Sequence, residues 1–170
     1  MDSPLPDNVA RLDRLADVAG QLLARCRAQG ASQAEVSCGE EHGLNVDVRM
    51  GEVESVESTR DRGIGVTVYF GKRKGSASTA DLREESLEAT VAQACAIARH
   101  TEEDPAAGLA DASLIAQAPE GGFPDFDGWH PWDIDAERAI ALALECEQAG
   151  RDDPRIENSD GASVSTGESL

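Results

Sequence analysis

Gly71-Lys72-Arg73-Lys74-Gly75-Ser76-Ala77-Ser78-Thr79 is where residue type and spacing come closest to a ligand cradle. Two glycines bracket consecutive cations, and a run of small and hydroxyl residues follows. A Walker-type loop requires G-x-x-x-x-G-K-[ST], whose lysine reaches phosphate while the hydroxyl holds Mg²⁺. Here the cations precede the second glycine, so the spacing fails. The flanking pattern also places the segment between two strands, whereas a phosphate loop runs from strand into helix, where backbone N–H groups converge on the anion. The stretch reads as a basic hairpin turn entering a small-residue strand. Solubility and protection of a sheet edge are sufficient reasons for its charge.

Other chemistry-bearing residues are dispersed. His42, His100 and His130 stand apart, and no helical zinc spacing such as H-E-x-x-H occurs. Glu40-Glu41-His42 contains metal-ligand types, but neighbours along a strand point to opposite faces, so a solvated turn is expected. Glu84-Glu85 and Glu102-Glu103 fall at a helix start and in a loop, where solvated carboxylates are ordinary. No G-x-S-x-G elbow is present, and no cysteine lies in a nucleophile motif. Trp129-His130-Pro131-Trp132 is the one aromatic concentration, expected to pack as an anchor for a long loop. The residues alone build no self-sufficient active site.

The chain that must position them has 170 residues, 40% of them hydrophobic and only 4% aromatic. Val, Ile, Leu and Ala therefore fill the core. Fifteen Lys and Arg against 33 Asp and Glu give a net charge of −18, a field that repels nucleic acid. An acidic, soluble, cytoplasmic-type protein fits this balance. Cys26, Cys38, Cys95 and Cys146 are widely spaced without a C-x-x-C pair, and read as small hydrophobes in a reducing compartment. The start of the chain lacks signal-peptide character, and no apolar run of about 18 residues is long enough to span a membrane.

Periodicity organises the rest. Asp7 is placed to cap a helix with Val9, Leu12, Leu15, Ala16, Ala19, Leu22, Leu23 and Cys26 at helical spacing, ended by Gly30. Strands are then expected at Ala34–Cys38 and Leu44–Met50, with a turn around His42-Gly43, and at Val53–Ser58, Gly63–Phe70 and Gly75–Ala80. Asp81 and Glu84 match a capping box opening a helix whose Leu87, Thr90, Val91, Ala94, Cys95, Ile97 and Ala98 face inward. A Pro, Gly and Asp-rich loop runs from Thr101 to Trp132. Asp135 caps a third helix closed by Gly150, and Arg155–Thr166 begins another hairpin. Short turns between the strands imply an α+β fold: a mainly antiparallel sheet of about five strands covered by helices, then a helix and the start of a second hairpin or sheet. The expected domains are residues 1–150, an N-terminal α/β domain, and residues 151–170, the beginning of a β-rich segment in a longer protein.

"GEVESVE" (Gly51–Glu57), "GIGVTVYFGKRKGSASTADL" (Gly63–Leu82), "IARHTEEDPAAGLAD" (Ile97–Asp111) and "HPWDID" (His130–Asp135) together resemble the TldD/PmbA family, most closely its PmbA (TldE) branch. The likeness runs in order from about Gln33 to Gly161. The resemblance implies one subunit of a cytoplasmic TldD–PmbA heterodimer, a zinc metallopeptidase that degrades or processes unfolded peptides; modulator of DNA gyrase is an older name for the family. It also implies that zinc belongs to the TldD-type partner, so no catalytic or metal residue is carried over to this chain. On that footing the chain shapes the substrate chamber and the heterodimer, with Lys72, Arg73, Lys74, Ser76 and Ser78 as candidate contacts for peptide or partner. The alternatives are a non-enzymatic acidic α/β protein-interaction module or an inactive truncated relic.

Overall fold

Alternating apolar residues build two unusually long strands, and the rest of the chain is arranged on them. The computed structural model describes residues 5–116, 119, 120, 122, 124 and 127–170. Helices α1 (Leu5–Ala28), α2 (Glu84–His100) and α3 (Ala136–Arg151) accompany strands β1 (Gln33–Arg49), β2 (Glu52–Phe70), β3 (Arg73–Thr79) and β4 (Ala162–Ser169). The fold is α+β, with an antiparallel sheet in the order β3-β2-β1-β4.

Four strands stand where about five were expected. β1 runs for 17 residues through Gly39 and Gly43, and β2 for 19 residues through the polar stretch after Val53. Local composition suggested breaks there, but ladder partners on both sides of β1 carry it through. His42 and Gly43 pair with Glu168 and Gly167 rather than forming a turn. The closing segment, Ala162–Ser169, joins this sheet beside β1 instead of opening a second one.

Among the described residues the chain divides into two compact units. The first is drawn from Met1–Glu40, Arg62–Pro124 and Leu170, and the second from Glu41–Asp61 and Asp125–Ser169. In the first unit, Ile64, Val66 and Val68 of β2 meet Leu22 and Cys26 of α1 and Leu87, Val91, Ala94, Cys95 and Ala98 of α2. Fully burying a side chain such as Leu22 contributes about 1.5–3 kcal/mol. α1 begins at Leu5, so Asp7 lies inside the helix instead of capping it. Its other end is the expected one. Gly30 N–H donates to Arg27 and Ala31 N–H to Cys26, the paired bonds of a Schellman motif.

α2 departs from the capping-box expectation. Its N-cap is Arg83, without a side-chain cap bond. Asp81, two residues before that cap, accepts from Arg83 N–H at 2.9 Å and from Ser86 Oγ–H in the first turn of α2 at 2.8 Å. Five of the six apolar inward positions are buried, but Ile97 remains 41% exposed.

In the second unit Val46 and Val48 of β1 pack with Ala139 and Ala143 of α3, joined by Ile134, Val164 and Ala162 at the margin. The Asp135 side chain accepts from Arg138 N–H at 2.8 Å, the cap expected for α3. The β1–β2 turn is Met50-Gly51, with φ of 53° and 82°. Two central residues of positive φ define a I′ hairpin turn, whose twist matches the strands it joins. No helix among the described residues is long and apolar enough to cross a membrane.

Candidate functional site

The basic run divides between a turn and a strand. Gly71-Lys72 forms a two-residue turn, and β3 starts at Arg73. The two leading cations are engaged with the loop after α2. Lys72 Nζ donates to the Ala107 carbonyl at 2.9 Å, and its own carbonyl accepts from Asp104 N–H at 3.0 Å. Arg73 Nη1 donates to Arg99 O at 3.2 Å, with Nε 3.5 Å from Glu103. Lys74, Ser76 and Ser78 stay exposed on one face of β3, opposite Tyr69, Thr67 and Gly65 of β2. The Ser76 and Thr67 hydroxyls are 2.9 Å apart. The structure thus brings Lys74, Ser76 and Ser78 together and sends Arg73 to the other face.

β3 ends the sheet on one side. Lys74, Gly75 and Ser76 line a groove of about 490 Å³ with Ile97, Thr101 and Asp104. Ile97 supplies the apolar contact that its inward assignment had removed from view. An edge strand beside an open groove can take up an extended peptide through main-chain hydrogen bonds.

The second unit has a larger cleft, of about 740 Å³. Its floor is the middle of β1 and β2 and the end of β4, with His42 and Leu44 beside Glu168 and Thr166. Its wall is Gly128–Asp133, immediately before α3. Trp132 is 59% exposed, which overturns its expected role as a packed anchor. The Trp129 indole N–H is buried without a partner. His130 Nε2 lies 3.8 Å from Asp127. The sequence signal for this cleft was the strand period: His42 shares the parity of Leu44, Val46 and Val48 once β1 is one strand.

Residues 34–98 match the sequence profile of the PmbA/TldA metallopeptidase domain 1. A metalloprotease PmbA homolog of Haemophilus influenzae is 45% identical over 138 residues, covering 81% of this chain and 30% of that protein. This chain belongs to the PmbA/TldD family. It spans about 30% of the length of the curated relatives it matches. Two crystal structures share the fold of this PmbA/TldD domain. A Bacteroides thetaiotaomicron protein described as a modulator of DNA gyrase has a TM-score of 0.68 at 22% identity, covering 92% of this chain and 34% of its own. TldE of Thermococcus kodakarensis has a TM-score of 0.66 at 13% identity, covering 89% and 33%.

The metal of a metallopeptidase finds no fitting donor set in this PmbA/TldD domain. Among the described residues, no group of three His, Cys, Asp or Glu side chains is placed to hold an ion. Of the run Glu40-Glu41-His42, Glu40 is committed to Arg11 at 3.0 Å and Arg62 at 3.1 Å. The hydrogen bond from Arg11 is the main cause holding its carboxyl below the ordinary range, with Arg62 adding to it against the cost of burial.

One buried acid escaped sequence reasoning. Glu147, 4% exposed, accepts from Met50 N–H at 2.7 Å and Gly51 N–H at 2.8 Å. Burial opposes its charge most strongly, yet hydrogen bonds from Ser159, Gly51 and Met50, with Arg151 at 3.8 Å, keep its carboxyl below the ordinary range. Two successive N–H groups of positive-φ residues form a small anion nest. The signal was present: position 147 continues the buried stripe of Ala139 and Ala143 by one helical turn.

Proposed function

We propose that this domain is the N-terminal, non-catalytic part of a PmbA/TldE-type subunit. That subunit pairs with a zinc-bearing TldD-type subunit in a cytoplasmic metallopeptidase that degrades or processes unfolded peptides. The observation that carries this reading is the match of residues 34–98 to a metallopeptidase first domain in a chain whose described residues offer no metal-binding set. Catalysis then falls to other parts of the assembly, and this domain presents substrate.

The β3 edge is the proposed presenting surface. An extended peptide pairs with its main chain, Lys74 attracts acidic side chains, and Ser76 and Ser78 supply hydroxyl hydrogen bonds. Lys72 holds the loop that borders the groove, and Arg73 holds the last turn of α2 before it. The net charge of −18 favours a peptide ligand over nucleic acid.

The test is co-expression of the complete PmbA-type protein with a TldD-type partner, measuring zinc content and cleavage of an unfolded peptide. Zinc and cleavage are expected only in the assembly, with zinc bound by the partner. Full cleavage by the partner alone would remove the requirement for this subunit. A photo-crosslinking peptide is expected to label Lys74–Ser78 in the assembly, and labelling confined to other domains would reject the β3 edge as the presenting surface.

A further inference from the structure

Tyr69 is the one tyrosine of the chain, and it is 5% exposed. Alternation along β2 turns it away from the core that α1 and α2 share with Val66 and Val68. It faces instead the side of the sheet on which Ser76 and Ser78 stand exposed. What meets the tyrosine there is the segment leaving α2, whose Asp104, Ala106, Ala107 and Gly108 line the 490 Å³ groove with it. That segment, Thr101–Leu109, belongs to neither apolar core, and Thr101 to Ala106 are exposed. Its ties are polar. Asp104 N–H donates to the Lys72 carbonyl at 3.0 Å, and Lys72 Nζ donates to the Ala107 carbonyl at 2.9 Å. Leu109 N–H donates to the Gln33 side-chain oxygen at 3.0 Å, and Glu103 lies 3.5 Å from Arg73 Nε. Gly108, between the Lys72 and Gln33 ties, has a φ of 148°, a conformation that glycine adopts without strain.

We propose that Thr101–Leu109 is a strap closed over Tyr69, with Lys72 as its latch, and that it opens while the core stays folded. A segment with few buried apolar contacts and solvent-exposed hydrogen bonds opens locally at far lower cost than the whole domain. Closed, the strap occupies the Lys72 carbonyl next to the open β3 edge and crowds the groove with its own backbone. Open, it leaves the Tyr69 ring and Ile97 as an apolar floor beside that edge. Access to the groove is then set by this chain itself, through one ammonium–carbonyl bond and one side-chain amide. The strap goes beyond the subunit reading and requires neither a peptide nor a partner.

A single tyrosine makes the strap readable. The experiment treats the full 170-residue chain with a tyrosine-nitrating reagent and follows Tyr69 by mass spectrometry. Parallel samples treated with a thiol reagent report on Cys95, fully buried in the core of the same unit, which becomes reactive only when that core opens. Lys72→Met keeps the aliphatic stem and removes the ammonium, at an exposed turn position. It is expected to raise the nitration rate of Tyr69 roughly threefold to tenfold and to leave the Cys95 rate unchanged. Gln33→Ala frees the other end of the strap and is expected to raise Tyr69 nitration roughly threefold, again with Cys95 unchanged.

Unchanged nitration in both variants would overturn the proposal. Nitration and thiol modification rising together would overturn it as well, because Tyr69 would then be reached through unfolding of the core. Acceleration in Gln33→Ala alone would remove Lys72 as the latch and defeat the proposal in that form. No peptide and no protease partner is present in these reactions. A failed strap therefore leaves the subunit reading standing, and a co-expressed assembly that does not cleave leaves the strap standing.

Discussion

Gly75 of β3 lies so close to α2 that a Cβ on it would stand 2.2 Å from the carbonyl oxygen of Ala94. The same atom would be 2.4 Å from Ala98 N. The second glycine of the basic run is therefore explained by helix packing. It lets α2 approach the strand, and its missing side chain is what brings the groove beside Ile97 close to the strand's backbone.

Gly75→Ala is accordingly expected to destabilise the first unit. Both clashing atoms belong to backbone, so relief requires α2 to move off the core it shares with Val66 and Val68. Overpacking of this kind costs about 1–3 kcal/mol. Urea denaturation would show a lower midpoint with an unchanged slope. An unchanged midpoint would mean that α2 does not need this approach.

Helices were largely legible in the sequence and strand boundaries were not, for one physical reason. Helical hydrogen bonds are local, so the apolar stripes and the signals at Gly30 and Asp135 carried the information. The extent of β1 and β2 depends on remote partners, above all Ala162–Ser169, which no local pattern at Gly39 or Gly43 announces. The candidate site shows the same division. Ser76 and Ser78 were expected on a strand beginning at Gly75, with Lys74 in the turn before it; that β3 starts at Arg73 and puts Lys74 on their face follows from its pairing with β2. The engagement of Lys72 by Ala107, and the joining of His42 and Trp132 in one cleft, needed tertiary structure.

Met50→Asn is expected to stabilise the protein. Met50 has a φ of 53°, costly for an unbranched hydrophobic side chain but well tolerated by asparagine. Asn-Gly is the preferred pair in a I′ turn, and Met50 is 44% exposed, so little packing is lost. The backbone N–H that Glu147 uses is retained. A gain of about 0.5 kcal/mol or more is expected, read as a higher thermal midpoint. A loss would show that the methionine side chain contributes packing that outweighs its strain.

The four cysteines should react in a set order. Cys146 is exposed, Cys38 half-buried, and Cys26 and Cys95 fully buried. Burial pushes the thiols of Cys26, Cys38 and Cys95 up, and the Cys95 thiol adds to the effect on Cys26. Since the thiolate is the reactive form, a disulfide reagent should modify Cys146 first and Cys38 more slowly. Cys26 and Cys95 should then react only at the rate of global opening. Mass spectrometry over time resolves the order, and early labelling of Cys95 would contradict the packing of α2.

Glu147→Gln tests whether the charge of the buried acid holds α3 to the β1–β2 turn. The glutamate accepts two backbone N–H groups through two oxygens, whereas glutamine offers one oxygen and turns an NH₂ toward the other donor. At neutral pH the variant should therefore melt several degrees lower, on the order of 5 °C. The folded-state carboxyl titrates below its ordinary range. Its stabilisation is thus complete above the unfolded value of about 4.3 and is withdrawn as pH falls through the lower folded value. Comparing the two proteins from neutral pH down to about pH 3, the gap between their melting temperatures should stay constant at first and narrow once the pH drops below that unfolded value. A gap independent of pH would assign the role of Glu147 to its shape and hydrogen bonding and remove the charge from the explanation.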